Sequence, residues 1–294
     1  MAGGLLSAMA RLASAARSRL CLAGVTAAMA CVATLDATAA PRRVVSMNVC
    51  TDQLAMLVAG EGQLYSVSNL ASDERTSALA SQAGRYAVNN GFAEEIFMMK
   101  PDLVLAGTYT NQATVELLKR LGFRVEQFAP AASFDDIRTD LTRMGQLLGR
   151  EERAASLVAQ MDQDLKALRS RSVADKSVAL YYANSYTSGT GTLADAVVRA
   201  AGLRNIGEAL GLTGTVKLPL ELLVLADPDL VVAGDGNYRE PALATEAYDH
   251  PAFRALAGEV VASPGQYWIC GAPFTVEAAR RLQDAALAGR GANE

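Results

Sequence analysis

The sequence predicts an α/β fold made of two Rossmann-like lobes with mainly parallel sheets, joined by a single long helix. Short apolar strands alternate with amphipathic helices along most of the chain. A long helical segment interrupts this alternation, which then starts again. The segment PDLVLAG at residues 101–107 also recurs as PDLVVAG at residues 228–234. Ordered recurrence of several elements indicates two related lobes with a crevice between them.

Residues 1–39 have the pattern of a signal peptide. Three Arg residues precede an apolar stretch from Leu20 to Leu35, and Ala37-Thr38-Ala39 offers the small residues that a signal peptidase reads. The stretch is shorter than the roughly 20 strongly apolar residues that a membrane span requires. A lipoprotein acylated at Cys31 is the alternative, although the residues before it lack the usual branched side chain. We therefore expect export with cleavage near residue 39.

Residues 40–149 predict the first lobe. RRVVSM at residues 42–47 has the pattern of a buried strand, and the following helix can be capped by Thr51 or Asp52 and ended by Gly60. The alternation of strand and helix continues up to residue 128 and favours a parallel sheet with helices on both faces. Further strands are predicted at residues 63–68, 103–107 and 123–128, and further helices at residues 93–100 and 114–122.

Two helices follow the first lobe and predict the joint between the lobes. Ser133 can cap the first, and Gly149 can end it. Apolar residues recur at alternating steps of four and three from Arg150 to Ser170. At 1.5 Å per residue this second helix is roughly 31 Å long, about the width of a small domain. We assign residues 150–171 to an interdomain helix; an ordinary surface crossover is the alternative.

Residues 172–294 repeat the order of the first half and predict the second lobe. A strand at SVALYYA, a helix that ends at Gly202 and the helix, proline and strand of LELLVLADPDLVVAG follow one another as in the first lobe. Glu94 and Glu221 lie seven residues before Pro101 and Pro228, respectively. The repeat therefore makes these two glutamates equivalent.

Composition limits the classes of function. The formal net charge is −4 and no basic stripe with interleaved aromatics occurs, so nucleic-acid binding is not expected. His250 is the only histidine, and its neighbours suggest a helix start, so Ser-His-Asp catalysis and His-rich zinc sites lack material. We expect a protein that is not an enzyme and has no metal site of its own.

Two cysteines, Cys50 and Cys270, remain after the predicted signal peptide. A disulfide between them would need Cα atoms about 4.4 to 6.8 Å apart and would hold the lobes at one separation. Free thiolates that contact a metal centre are a second possibility, and two unpaired structural cysteines are a third. An exported thiol- or metal-dependent enzyme that uses this pair is the alternative function.

Ligands in open α/β folds bind beyond the carboxyl ends of the strands. Polar residues follow the first strand, and five Tyr and the only Trp fall at other predicted loop positions. Aromatic faces suit a large, partly apolar chelate or macrocycle; core packing is the alternative for each aromatic taken alone. The candidate ligand-binding residues are Asn48, Cys50, Thr51, Asp52, Tyr109, Tyr182, Tyr186, Tyr238, Tyr267, Trp268 and Cys270.

Four features carry a resemblance to a known family: PRRVVSMNVCTDQLAML, EEIFMMKPDLVLAG, the helical joint and YWICGAPFTVEAARRL. Together they make the chain similar, over essentially its whole mature length, to the periplasmic substrate-binding proteins of ABC importers for cobalamin and ferric siderophores. The resemblance implies the helical-backbone class of these proteins, with two lobes around a shallow cleft and a rigid helix that limits closure. Members of this family do not generally carry the cysteine pair.

The resemblance also implies a role and partners. Such a protein is a periplasmic monomer that needs no cofactor, because the captured metal chelate itself contains cobalt or iron. It delivers this cargo to a dimeric permease with ATPase subunits. One exposed Glu on each lobe docks onto Arg residues of the permease, and the matching positions are Glu94 and Glu221; complementing the helix dipole is the alternative role. Corrinoid, siderophore and haem all remain possible, although the lack of an Arg cluster favours a corrinoid.

Overall fold

The first half of the chain folds into a five-stranded parallel sheet in the order β3-β2-β1-β4-β5. Strands β2 and β3 lie on one side of β1, and the later strands β4 and β5 lie on the other. The strand order therefore switches between β1 and β4, and open α/β folds bind ligands at such a switch point. All residues of β1 and β4 are buried, because helices cover both faces of the sheet. The strands are β1 Val44–Ser46, β2 Leu64–Ser68, β3 Ala87–Asn89, β4 Leu103–Gly107 and β5 Val125–Phe128. The helices are α1 Val49–Val58, α2 Ala80–Ala83, α3 Ala93–Met99 and α4 Gln112–Arg120.

This computed structural model describes residues 39–171, 173, 175–234, 243–256, 259–262 and 264–288. Residues 1–38 of the predicted signal peptide, including Cys31, and the predicted ligand residue Tyr238 lie outside these residues. Within the described part of the chain, no helix combines the length and the hydropathy that crossing a bilayer requires.

A second parallel sheet follows, in the order β11-β10-β6-β8. Beside it, β7 and β9 pair as a small antiparallel ribbon. In the second sheet β8 lies on one side of β6, and the later strands β10 and β11 lie on the other. The switch point of this sheet is therefore between β6 and β10. The strands are β6 Ser177–Tyr181, β7 Tyr186–Ser188, β8 Arg204–Asn205, β9 Thr215–Lys217, β10 Leu230–Ala233 and β11 Glu259–Ala262. Two helices, α5 Phe134–Leu148 and α6 Glu151–Arg169, precede this sheet in the chain. The helices of the second lobe are α7 Leu193–Ala200, α8 Ile206–Ala209, α9 Leu220–Ala226, α10 Glu246–Asp249, α11 Pro251–Arg254, α12 Gln266–Ile269 and α13 Thr275–Ala288.

The repeated sequence segment forms the same structure in both lobes. Helices α3 and α9 each contain 7 residues. Each ends at a residue with left-handed backbone, Lys100 at φ 50° and Asp227 at φ 41°. A buried proline follows in both lobes and prevents the helix from continuing. The fold class of two α/β lobes with parallel sheets is therefore confirmed.

The aspartate after each of these prolines explains why Pro-Asp occurs twice. Asp102 accepts hydrogen bonds from the backbone N–H groups of Arg42 and Arg43 at 2.6 and 3.0 Å. Asp229 accepts from the backbone N–H and the hydroxyl of Ser177 at 2.7 and 2.8 Å. Each carboxylate thereby holds the start of the central strand of its sheet, β1 or β6. The central strands then pair in the same register, with Val44 opposite Leu103 and Val178 opposite Leu230.

Helices α5 (Phe134–Leu148) and α6 (Glu151–Arg169) lie between the two sheets. Ser133 caps α5 through its side chain, and Gly149 ends it at φ 63°, as predicted. Helix α6 has 19 residues, so it is roughly 29 Å long. Its buried face packs on α5, α7 and α13, and one continuous apolar core joins residues of both lobes. The exact domain boundaries at residues 149 and 171 stay a prediction.

One predicted helix start is wrong. Helix α1 begins at Val49, three or four residues before the start that a cap at Thr51 or Asp52 would give, because the side chain of Asn48 caps it. The Asn48 carboxamide oxygen accepts from the backbone N–H of Cys50 at 3.0 Å. The helix therefore starts directly at the end of β1, which brings Cys50 and Thr51 to the edge of the sheet.

Candidate functional site

A cavity of about 70 Å³ lies where the carboxyl ends of β1, β4 and β5 meet the second lobe. Its volume is well below the roughly 300–1,000 Å³ of most small-molecule sites. The first lobe supplies most of the lining, and the second lobe supplies one short segment after α12. The lining residues are Asn48, Cys50, Thr51, Leu54, Gly107, Thr108, Tyr109, Phe128, Ala129, Pro130, Ala131, Asp140, Ile269, Cys270 and Gly271.

Two predicted ligand residues, Asn48 and Thr51, lie in the floor of this cavity and are held rigidly. Gly107 ends β4 beside Asn48, and a Cβ atom at Gly107 would lie only 3.0 Å from Asn48 Nδ2. The absence of a side chain at Gly107 therefore lets the amide of Asn48 approach the strand. Thr51 is buried, and its hydroxyl hydrogen bonds with the hydroxyl of Ser46 at 2.8 Å.

Cys50 and Cys270 form a disulfide with a Cα separation of 5.1 Å, so the first of the three possibilities is the one that the structure contains. The bond joins the start of α1 in the first lobe to the segment after α12 in the second. It closes a chain segment of 220 residues. Because neither sulfur is a thiolate in this state, the disulfide argues against a thiol-dependent enzyme.

The two lobes also pack tightly next to this disulfide. At Gly271, an added Cβ atom would approach Ala131 to 2.5 Å and the side chain of Ile137 on α5 to 2.9 Å. A larger residue would therefore push the segment after α12 away from the first lobe. The glycine and the disulfide together fix the separation of the lobes at the floor of the cavity.

Among the described residues that line the cavity, Asp140 is the only charged one. Partial burial raises the pKa of its carboxyl to about 6, with the nearby Arg143 opposing and Asp136 supporting the shift. Asp140 was not predicted from the sequence to lie at the cavity. Its spacing indicates such a place, because Asp140 lies three residues after the buried Ile137 and four before the buried Met144, beside the apolar face of α5.

Asp52, another predicted ligand residue, does not line this cavity, and its contact with a ligand stays a prediction. The residue is completely buried inside the first lobe, because it lies on the inner face of α1. Its carboxylate accepts from the backbone N–H and the hydroxyl of Ser68 at 3.1 and 2.5 Å, and its second oxygen has no partner. Burial raises the pKa of Asp52 to about 7, although the hydrogen bonds from Ser68 oppose this shift.

The predicted aromatic residues divide between the cavity and their own lobe. Tyr109 lines the cavity and is 87% exposed. Tyr182 packs edge-on against Trp268 at 6.5 Å, and burial raises the pKa of its phenol to about 12. Tyr267 contacts Phe274 at 6.4 Å, with Arg281 stacked on its ring. Tyr186 is partly exposed and stacks with Lys217 at 5.7 Å. Their contact with a ligand stays a prediction.

A second residue that the sequence analysis missed adds to the mouth of the cavity. Ile269 lines the cavity from the second lobe and is 49% exposed, directly before Cys270. Tyr109 lies on the first lobe, so one exposed apolar surface flanks the opening on each side. The sequence shows an Ile within YWIC, but it does not show that this side chain is exposed at the cavity.

Glu94 and Glu221 occupy the second position of α3 and α9 and are exposed. No described residue forms a hydrogen bond or ion pair with either carboxylate. The neighbouring Glu95, in contrast, accepts from the backbone N–H and the side chain of Asn90 at 2.8 and 2.9 Å, and these bonds lower its pKa. Glu94 and Glu221 are therefore free to meet a partner, and their docking role stays a prediction.

The side chains that most often bind metals or act in catalysis were also located. No group of three or more His, Cys, Asp and Glu that could hold a metal ion occurs among them. His250 caps α11, because its Nδ1 accepts from the backbone N–H of Ala252 at 3.1 Å. This is the structural role that the sequence suggested for the histidine.

Comparison with known proteins gives consistent matches. The family described as periplasmic binding protein matches residues 44–255. A cobalamin-binding protein of Halobacterium salinarum is 30% identical over 200 residues, which cover 66% of this chain and 54% of that protein. The chain thus spans about half the length of this curated relative.

Solved structures match over most of the chain. The periplasmic vitamin B12 binding protein BtuF of Vibrio cholerae has a TM-score of 0.65 and 16% identity, covering 85% of this chain and 98% of that one. The periplasmic haem binding protein HutB of the same organism has a TM-score of 0.68 and 20% identity, covering 83% and 98%. At these identities the likeness is one of fold.

Proposed function

Because the chain belongs to the periplasmic binding protein family, we propose that it is the solute-binding component of an ABC importer. It captures a metal chelate, either a corrinoid or a ferric siderophore, at the seam between its two lobes and delivers it to an inner-membrane permease. The observation that carries the proposal is the meeting of the carboxyl ends of β1, β4 and β5 with the segment after α12 of the second lobe, with exposed Tyr109 and Ile269 on opposite sides of the opening.

The cargo rests on the mouth of the cavity rather than inside it. A space of about 70 Å³ holds only a few water molecules, and the disulfide prevents the floor from opening. A flat macrocycle can instead lie across the opening, with its faces against Tyr109 and Ile269 and its polar edge towards Asn48. Binding at a shallow, preformed surface also fits a rigid joint, since α6 packs against both lobes.

The charge of the site favours a corrinoid over chelates with carboxylate groups. Among the described residues that line the cavity, none is Lys, Arg or His, and Asp140 contributes a carboxyl group. An anionic chelate would therefore meet no counter-charge and some repulsion. The similarity to a cobalamin-binding protein supports the same choice.

Delivery uses the two free glutamates. Glu94 and Glu221 lie at equivalent places on two lobes, and a dimeric permease presents equivalent basic residues about its two-fold axis. The location that fits is the periplasm, reached through the predicted signal peptide at residues 1–39. The disulfide supports this location, because structural disulfides persist in oxidising compartments.

The test is a titration of the purified protein against cyanocobalamin, a ferric hydroxamate siderophore and haemin, followed by visible absorption and by Trp268 fluorescence. We expect saturable binding of the corrinoid with a stoichiometry of one and no chemical change of it. Tyr109→Ala should weaken binding roughly tenfold, through loss of a buried aromatic contact. Tyr65→Ala is the matched control, since Tyr65 is a partly exposed tyrosine of β2 that stacks with Arg43 outside the cavity. Failure of all three compounds to bind would refute the proposal.

A further inference from the structure

The two lobes share a pattern of exposed apolar residues that folding does not require. Phe97 and Val224 lie three residues after the docking glutamates and are 48% and 37% exposed. Met98 and Leu225 lie four residues after them and are 73% and 79% exposed. Exposed apolar side chains are common singly, but the same cluster at two equivalent places indicates a contact surface.

A groove runs beside each of these clusters. The first groove, of about 410 Å³, lies between α3 and α4; its lining consists of Ala93, Glu94, Phe97, Met98, Leu117 and Leu121. The second, of about 580 Å³, lies between α9 and residues 243–252; its lining includes Leu220, Glu221, Val224, Leu225, Leu243 and Ala247. In both lobes the groove separates the helix before strand β4 or β10 from the helical segment that follows that strand. The duplicated segment has thus produced two corresponding grooves.

Each groove has an acidic rim. Within the described part of the chain, Glu94 is the only charged residue that lines the first groove. The second groove contains Glu221 and Glu246. Among the described lining residues neither groove contains Lys or Arg. A partner that fills the grooves must therefore combine apolar side chains with basic ones.

We propose that the two grooves are sockets for the permease, and that each takes a bulky apolar side chain that the permease presents next to a basic residue. This inference rests on the proposed function, and adds to the glutamates the apolar contacts that supply most of the docking affinity. Buried apolar groups dominate interface energetics, whereas exposed charge pairs mainly direct orientation and association rate. The duplication matches a two-fold partner that offers the same loop twice.

The acidic rims select this occupant over two others. A second copy of this chain would bring glutamates against glutamates, because both grooves carry them. A membrane surface with anionic headgroups would be repelled in the same way. Two basic, apolar loops at a fixed separation satisfy both grooves at once.

Photocrosslinking tests which molecule fills the grooves. The probe is p-benzoylphenylalanine, placed singly at Met98, at Leu225, at Phe92 or at Ala155 of full-length protein, added with cyanocobalamin to right-side-out membrane vesicles of the organism that encodes the chain. Phe92 is 61% exposed beside Glu94 but does not line the groove, so it reports docking alone. Ala155 is an exposed residue of α6 and is the negative control. Adducts are identified by mass spectrometry.

We expect ABC permease subunits in the adducts from Met98, Leu225 and Phe92, and none from Ala155. Adducts from Phe92 without adducts from Met98 and Leu225 would overturn the sockets and leave the docking function standing. Adducts of Met98 or Leu225 with lipid or with a second copy of this chain would also overturn them. Loss of permease adducts at every position would overturn docking together with the sockets.

The affinity for the identified permease gives a second, quantitative test. Met98→Ser and Leu225→Ser should each weaken binding to the permease in reconstituted vesicles roughly tenfold, because each removes one buried apolar side chain from the complex. Both residues are largely exposed, so the variants should fold and bind cyanocobalamin like the wild type. Unchanged permease affinity in both variants would refute the inference.

Discussion

Helix α3 of the first lobe and helix α9 of the second can be compared residue by residue. Ile96 and Leu223 are completely buried at the same step of each helix, and the core of each lobe requires an apolar side chain there. Glu94 and Glu221 also match, although both are exposed and form no bond with described residues. Folding explains the first agreement but not the second, since exposed positions tolerate many side chains. The buried apolar residue is thus repeated because the fold needs it, and we expect the exposed glutamate to be repeated because function needs it.

The lobes differ where the first helix after the central strand begins. Asp52 in the first turn of α1 is completely buried without a cation, and one of its oxygens has no hydrogen-bond partner. Asp195 in the first turn of α7 is buried too, but Arg199 pairs with it at 3.0 Å and Asn205 donates to it at 3.0 Å. The buried carboxyl group in the first turn thus lacks one hydrogen-bond partner in the first lobe, whereas in the second lobe it is paired with Arg199 and Asn205.

The largest expected effect comes from the functional repetition. Glu94→Arg together with Glu221→Arg should reduce uptake of radiolabelled cobalamin by roughly 100-fold or more, because both contacts with the basic permease become repulsive. Each single variant should lose part of the activity, and to a similar extent in the two lobes. Uptake is measured in cells that lack the wild-type gene.

The matched control for this experiment is Glu152→Arg, since Glu152 is an exposed acid in the first turn of α6. It should leave uptake unchanged. Ligand affinity should be the same in all of these variants. An equal loss of ligand affinity in the double variant would show that the glutamates have been assigned the wrong role.

Removal of the disulfide between the lobes should have the next largest effect. Cys50→Ser with Cys270→Ser removes the crosslink, and we expect the free energy of unfolding to fall by about 2–5 kcal/mol, since the disulfide closes a long loop. Urea denaturation measures this fall. Reductant should destabilise the wild type to the same extent and leave the double variant unaffected; a reductant effect on the variant would contradict the assignment.

The difference between Asp52 and Asp195 predicts a pH dependence. The pKa of Asp52 is about 7 in the folded protein and near 3.8 when unfolded, so the folded state holds the proton more tightly. Its stabilising contribution is complete below about pH 4 and is lost as the pH rises to about 7. Between pH 5 and pH 8 the loss is about 3 kcal/mol. Burial of Asp140, with its pKa of about 6, adds a smaller fall that ends near pH 6.

Urea denaturation at pH 5 and at pH 8 measures this dependence. Asp52→Asn should flatten it, because the amide does not ionise. Asp195→Asn is the control from the other lobe: it weakens the ion pair with Arg199 and should leave the pH dependence of the wild type in place. A wild type that is equally stable at both pH values would contradict the role assigned to Asp52.

The smallest expected effect tests the structural repetition. Asp102→Ala and Asp229→Ala each remove the carboxylate that holds the start of a central strand. We expect each to lower the free energy of unfolding by about 1–2 kcal/mol, because both groups are exposed and water replaces the lost bonds. A large effect in one lobe and none in the other would show that the two copies are not equivalent.

Much of the fold could be predicted from the sequence because its signals are local. The period of the apolar residues marked most of the strands and helices, and Ser133 and Gly149 marked the two ends of α5. The first helix start was wrong because Asn48, Thr51 and Asp52 are all good capping residues, and only the direction of the chain after β1 selects among them.

The candidate site was predicted less completely. Asn48, Cys50, Thr51 and Tyr109 line the cavity as expected, because strand ends can be located from sequence, and Cys270 was placed there by the resemblance. Their contact with a ligand stays a prediction. Asp52 directly follows Thr51 in α1, but its side chain is completely buried and does not line the cavity. Asp140 and Ile269 were missed, since the second lobe and α5 approach the first sheet only in the folded chain.

The sequence by itself determined that this chain has two related α/β lobes, a long helix between them and equivalent glutamates on both, since repeats and periodicity need no knowledge of distant contacts. Only the tertiary structure decided that Cys50 bonds to Cys270, that the cavity between the lobes is nearly filled, and that grooves lie beside the glutamates. These features depend on how surfaces far apart in the chain pack together, and packing is set by the shapes of whole elements rather than by any local pattern.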